Sequence, residues 1–219
     1  QVKIGDLDGN GFIDPGNFAV DDHGDLRIIG NQSPRYRYGV NLSARWNGIG
    51  LSVFLQGVGA RDWYPGSDAG MFWGKYGRPF FALIPSIHNY TDDMYSAERN
   101  NWDTAYWPRM TTYQSNGTKN WTRLLEIPNT RYIQSAAYLR VKNIQLDYSF
   151  PKHICSAIRL QGLKIYVNAE NLFTFTPLHK YAPNFDPEGL SYDSDFASAA
   201  DGYTYPILKS VTVGVNITF

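Results

Sequence analysis

Residues 205–219, YPILKSVTVGVNITF, close the chain, and their reading decides the fold. From Val211 the odd positions are Val211, Val213, Val215, Ile217 and Phe219, and Thr212, Gly214, Asn216 and Thr218 stand between them. A strand sends successive side chains to opposite faces, so one face here is wholly apolar and the other polar or small. The last strand of a soluble sandwich shows the same alternation. Two features go further. The run is long enough to cross a bilayer as a tilted strand, which takes roughly 9–11 residues, and it ends on an aromatic ring.

Four more stretches alternate. In 35–46, Tyr36, Tyr38, Val40, Leu42, Ala44 and Trp46 share a face opposite Arg37, Gly39, Asn41, Ser43 and Arg45. Asn47-Gly48 is a hairpin signal, and the strand expected at 48–58 sets Ile49, Leu51, Val53 and Leu55 against Gly50, Ser52, Phe54 and Gln56. In 137–150, Ile144, Leu146, Tyr148 and Phe150 oppose Asn143, Gln145, Asp147 and Ser149. Upstream the phase reverses, because Leu139 and Val141 fall with the polar set. A bulge explains that reversal, and so does an upper half standing above a membrane. Pro151 ends this strand and a short link runs to about Gln161. In 162–175, Leu163, Ile165, Val167, Ala169, Phe173 and Phe175 oppose Lys164, Tyr166, Asn168, Glu170 and Thr174. With 205–219 this makes about five strands.

The segments between them are long, short, long, short and long. The loop 1–34 is polar and turn-rich, 59–136 is rich in Trp, Tyr, Asn, Asp, Gly and Pro with short helices expected around Asp92 to Asn101, and 176–204 is rich in Asp, Ser and Tyr. Up-and-down membrane barrels have short periplasmic turns and long extracellular loops. That pattern puts the three long segments outside the cell and the C-terminus in the periplasm. Five strands cannot close such a barrel, and an open sheet would leave unpaired backbone in hydrocarbon. The expected fold is therefore all-β: the C-terminal segment of a large antiparallel transmembrane β-barrel.

Composition agrees. Net charge over the 219 residues is zero, which leaves no footprint for nucleic acid. Mean hydropathy is −0.38 and no apolar run reaches the length of a membrane helix, although alternating strands would dilute the hydropathy in the same way. Aromatics make up 16% of the chain, which suits interfacial girdles. Tyr36, Tyr38, Trp46, Tyr148, Phe173, Phe175 and Phe219, near strand ends, are read as those girdles. Cys155 is the sole cysteine, so a disulfide framework and a thiolate metal cluster are excluded.

An ordered series of motifs then becomes specific. It comprises Asp6-Leu-Asp-Gly-Asn-Gly-Phe-Ile-Asp14, Ile29-Gly30, Tyr36 to Gly39, Phe54-Leu-Gln-Gly57 and Trp102 to Arg109. It continues through Tyr138 to Pro151, Asn168-Ala-Glu-Asn-Leu-Phe-Thr174, Asp186-Pro-Glu188 and Tyr205 to Phe219. The series resembles the SusC/RagA family of TonB-dependent outer-membrane transporters of Bacteroidetes. Asp147, where the family has a small residue, and the stretch 15–26 depart from its pattern. The resemblance implies a barrel of about 22 strands, of which this chain supplies roughly the last quarter. It implies as partners the remainder of the barrel and its plug, a SusD-like surface lipoprotein acting as a lid, TonB acting through the absent N-terminal part, and outer-membrane lipid. The cargo it implies is a glycan or a peptide.

Two candidate sites stand in the loops. Asp6, Asp8, Asn10, Phe12 (through its carbonyl) and Asp14 follow the oxygen-ligand order of an EF-hand-like calcium loop, with Gly11 at the turn. The twelfth position is Asn17, not Glu, so the bidentate ligand is missing; a plain Asx/Gly turn has the same spacing. No organic cofactor is expected. Trp63, Tyr64, Phe72, Trp73, Tyr76, Trp102, Tyr106 and Trp107 are candidates for stacking on cargo or docking a lid, and the alternative is packing within the loop. Catalysis finds no support: His23, His88, His153 and His179 lack metal spacing, and Asp92-Asp93 and Asp186/Glu188 read as solvated loop charge. The alternative to the transporter wall is a soluble, calcium-containing carbohydrate-binding β-sandwich.

Overall fold

The computed structural model of the chain describes residues 5–14, 16–17, 19–65, 95–106, 128–183, 185–190 and 207–219. Its strands are β1 (Arg35–Trp46), β2 (Ile49–Ala60), β3 (Asp62–Trp63), β4 (Gln134–Ser135), β5 (Tyr138–Ser149), β6 (Gly162–Phe175) and β7 (Ser210–Thr218). A short helix, α1 (Lys152–Ala157), joins β5 to β6, and a 3-10 turn spans Pro177–Lys180. The long strands form one antiparallel sheet in the order β1-β2-β5-β6-β7, and β3 pairs separately with β4. The expected five long strands are present. The last begins at Ser210, later than the expected 205; Ile207 to Lys209 are not in strand, and 205–206 lie outside the described residues. The expected helix near Asp92 to Asn101 is a turn over 97–100, with 92–94 outside the described residues.

Local chemistry explains the short connections. Asn47 and Gly48 have φ of 47° and 87°, the two positive values that a two-residue type I′ hairpin needs, and Trp46 pairs with Ile49 across it. The link after Pro151 is helical. It stops in a Schellman arrangement: Arg159 takes φ 61°, the Leu160 N–H reaches the Cys155 carbonyl (2.9 Å), and the Arg159 N–H reaches that of Ser156 (3.1 Å). Cys155 is buried beneath this turn.

The phase reversal in β5 is a bulge. Phe54 pairs with Asn143 and Leu55 with Val141, so Lys142 is the extra residue. On the other side Val141 pairs with Phe173 and Asn143 with Glu170, and Asn171 sits in the left-handed region at φ 52°. The register change returns Leu139 and Val141 to the apolar face.

Unbroken apolar rows then cross all five strands. One is Leu42–Val53–Ile144–Ala169–Val211; the next is Ala44–Leu51–Leu146–Val167–Val213; a third is Trp46–Ile49–Tyr148–Ile165–Val215. None of these positions is charged. Aromatic rings bound the face: Trp46 and Tyr148 near the Asn47–Gly48 turn, Tyr38 and Phe175 in the row towards the other end. Tyr38 and Trp46 are eight residues apart on β1, about 26 Å along a strand. That is the order of the ~25 Å apolar band of outer-membrane barrels.

This face is open. Phe219 is 81% exposed, Trp46 77% and Val213 72%. Soluble monomers rarely expose a contiguous apolar patch of more than a few hundred Å². A sandwich would cover the face with a second sheet, but the other sheet among the described residues is two residues per strand. No helix among the described residues is long and apolar enough to cross a membrane, which says nothing of crossing by strands.

The chain divides into two compact units. One holds the five strands and their short turns: Pro34–Arg61, Ala136–Pro177 and Pro206–Phe219. The other gathers the three long segments: Gln1–Ser33, Asp62–Ser135 and Leu178–Tyr205.

Candidate functional site

The polar face of the sheet carries its chemistry in one row: Arg45–Gly50–Asp147–Tyr166–Gly214. Asp147 is buried at its centre. Its Oδ2 lies 3.4 Å from Arg45 Nη2 and its Oδ1 lies 3.1 Å from Lys164 Nζ. Gly50 makes room for the carboxylate, since a Cβ there would sit 2.8 Å from both Asp147 oxygens. Gly214 does the same for Tyr166, whose ring would overlap any Cβ at 214. A polar hollow of about 360 Å³ opens beside the triad, lined by Ser43, Arg45, Ser52, Gln145, Asp147 and Lys164. Sequence reading singled out Asp147 only as a departure from a family pattern. Its cations lie on other strands, Lys164 on the next long strand β6 and Arg45 far back on β1, and strand register brings them to it.

The acidic loop is built differently from its linear spacing. Asp6 Oδ1 accepts the Gly9 N–H (2.6 Å) and its Oδ2 the Gly11 N–H (2.8 Å), which hold its carboxyl below the ordinary value, the Gly11 bond most of all. Asn10 Nδ2 donates to Asp8 Oδ2 (3.0 Å) and Asp14 Oδ2 (3.4 Å), while its Oδ1 accepts the Phe12 N–H (2.7 Å). The Phe12 ring is exposed. The carboxylates that converge are Asp6, Asp8 and Asp25, with oxygens within 4.8 Å of one another. Asp25 was missed because it lies far past the loop. The chain doubles back there: the Asp25 N–H reaches the Asp14 carbonyl (2.9 Å), and Asp25 Oδ2 accepts the Asp14 N–H (2.9 Å). Gly16 and Gly24, at φ 60° and 50°, allow the close approach, since a Cβ at Gly16 would meet the Gly24 nitrogen at 2.6 Å. Three hard carboxylates in this space suit a calcium ion, and Asp25 supplies an acid that the twelfth loop position lacks.

The loop aromatics divide. Trp63 is buried, 5.2 Å from the Phe185 ring. Tyr64 is buried and its hydroxyl accepts from Asn129 Nδ2 (2.9 Å). Tyr106 stacks on Tyr181 at 3.8 Å, and its hydroxyl accepts from Gln134 Nε2 (2.7 Å). Tyr132, which sequence reading did not single out, is buried and donates its hydroxyl hydrogen to the Tyr106 carbonyl (3.1 Å). Burial raises the phenol pKa of Tyr64 and Tyr106 and pushes that of Tyr132 up to about 12. Trp63, Tyr64 and Tyr106 thus build the loop unit. Trp102 is 64% exposed. Phe72, Trp73, Tyr76 and Trp107 lie outside the described residues. His23 and His179 bind neighbouring carbonyls, of Gly24 (3.0 Å) and Phe185 (3.1 Å).

An open, charge-free apolar face, a polar reverse face and up-and-down strands define a segment of an antiparallel membrane-barrel wall. The comparisons with known proteins agree. The chain is 26% identical over 220 residues to TonB-dependent receptor P3 of Formosa agariphila, covering 98% of this chain and 18% of that protein. It is 22% identical over 222 residues to TonB-dependent receptor P26 of the same organism, covering 100% and 19%. The chain thus spans about a fifth of the length of the curated relatives it matches. Among solved structures it is similar to the RagAB peptide transporter, with TM-score 0.57, 19% identity, and coverage of 89% of this chain and 18% of that one. The RagAB peptide importer in its closed-closed state gives TM-score 0.58 at 18% identity, over 96% and 20%. No protein-family model matches the chain. The resemblance to TonB-dependent outer-membrane transporters read from the motifs is borne out, and so is the all-β, barrel-segment fold. These relatives and neighbours are receptors and transporters, not enzymes.

Proposed function

We propose that the chain forms part of the wall of a TonB-dependent importer in a bacterial outer membrane, with its C-terminus in the periplasm. The observation that carries this reading is the apolar face, uncharged along every row and bounded by aromatic rings at both ends. Similarity to a part of TonB-dependent receptors, along the length of this chain, supports it. The rest of the barrel and its plug complete the channel, TonB drives it through the plug, and a SusD-like lipoprotein lids it over glycan or peptide cargo. Trp102, exposed in the loop unit, contacts lid or cargo, together with Phe72, Trp73, Tyr76 and Trp107 of the same long segment. Calcium binds at Asp6, Asp8 and Asp25, with Asn10, Phe12 and Asp14 closing the loop.

Mass spectrometry of the detergent-extracted native complex tests the import reading. Recovery of plug-containing polypeptide and a surface lipoprotein supports it. Recovery of the chain as a monodisperse, detergent-free monomer sinks it and favours the sandwich. For the metal, the expected outcome is that chelation by EGTA speeds proteolysis within residues 5–25, that added calcium reverses this, and that Asp25→Asn abolishes the protection. Cleavage indifferent to calcium leaves a plain turn.

A further inference from the structure

We propose that the hollow beside Asp147 is a transit site for carboxylate groups on the cargo, making acidic peptides or uronate-containing glycans the favoured substrate class. This rests on the import reading and deepens it. Arg45, Lys164 and Asp147 form a triad of two cations around one carboxylate, so one positive charge is left over. Arg45 carries it outward: its side chain is 62% exposed and approaches Asp147 at 3.4 Å. Ser43, Ser52 and Gln145 supply hydrogen-bond donors around the same hollow. Arg37 stands on the same polar face of β1, and Glu170 on that of β6.

Asp147 gives the site its character. A guanidinium and an ammonium with no counter-charge would hold an anion tightly. With one carboxylate already in place, a second binds weakly enough to leave, which conduction requires. Removing the Asp147 charge therefore strengthens binding and slows release, the reverse of what a purely structural ion pair would show.

The test uses the whole transporter purified in detergent, titrated calorimetrically with tri-galacturonate and tetra-aspartate as acidic probes. An uncharged trisaccharide and an end-capped tetra-alanine serve as neutral probes. Arg45→Gln and Lys164→Gln are expected to lower affinity for the acidic probes about tenfold each and leave the neutral probes unchanged. Asp147→Asn is expected to raise acidic-probe affinity by a similar factor, and it carries the test should either cation variant misfold. The better of the two acidic probes identifies the source of the carboxylate. The inference is overturned if neither acidic probe binds, if the variants leave acidic-probe affinity unchanged, or if acidic and neutral probes shift alike, as they would were the hollow filled by another part of the transporter. Uptake by intact cells separates the two readings. Neutral probes imported as well as acidic ones remove this inference alone, whereas failure to import any probe removes the import reading.

Discussion

Gly214 is where one atom decides the packing of the polar face. Tyr166 lies across it, and any Cβ there would overlap the ring. Gly214→Val is expected to cost about 1–3 kcal/mol, the usual range for overpacking, read as a lower unfolding midpoint in detergent. Tyr166→Ala in the same chain should restore much of it; a Gly214→Val variant of unchanged stability contradicts the contact. Tyr132 supplies a pH-dependent case. Its pKa is raised from 10.0 to about 12, so the stability it contributes is full below pH 10 and lost as pH rises towards 12. Wild type is expected to lead Tyr132→Phe most clearly below pH 10, measured by proteolysis of the loops, and the lead should shrink above that. The acidic loop marks the limit of linear reading at this scale. Asp6 and Asp8 were legible from their spacing, but Asp25 joins them only because the backbone folds back at Gly16 and Gly24.

Strands were the most legible elements, because period-two alternation is a direct record of which face each residue occupies. β1, β2 and β6 are close to their expected bounds. Less was visible where the backbone leaves the regular period. The β5 sequence shows that its phase reverses, but only pairing with β2 and β6 shows that Lys142 is looped out. The α1 turn was read as a plain link because six residues are too few for helical periodicity to register. If the faces are correctly assigned, Val213→Arg is expected to cost about 2–4 kcal/mol in a lipid bilayer, and Thr212→Arg, one residue away on the opposite face, under about 1 kcal/mol. Reversible unfolding into urea in the presence of lipid vesicles reads both values, and equal costs would refute the assignment.

For the molecule as a whole, loops and wall have different physics. The long segments make their own buried core around Trp63, Tyr132, Leu178 and Phe185, while the sheet leaves its apolar side open. A soluble fold would have reversed that, burying the sheet face first. The loop core was not legible in the sequence, since its members come from segments far apart in the chain and share no periodicity. A wall built this way requires that the open face meet lipid. Single cysteines at Val211, Val213 and Val215, and at Thr212 and Asn216, would each carry a fluorophore in the membrane-embedded protein, with any other reactive cysteine replaced; Cys155, the sole cysteine of this chain, is buried. Quenching by brominated lipid is predicted at the three valine positions and not at Thr212 or Asn216. Quenching at none of the five, or equally at all of them, would contradict the account.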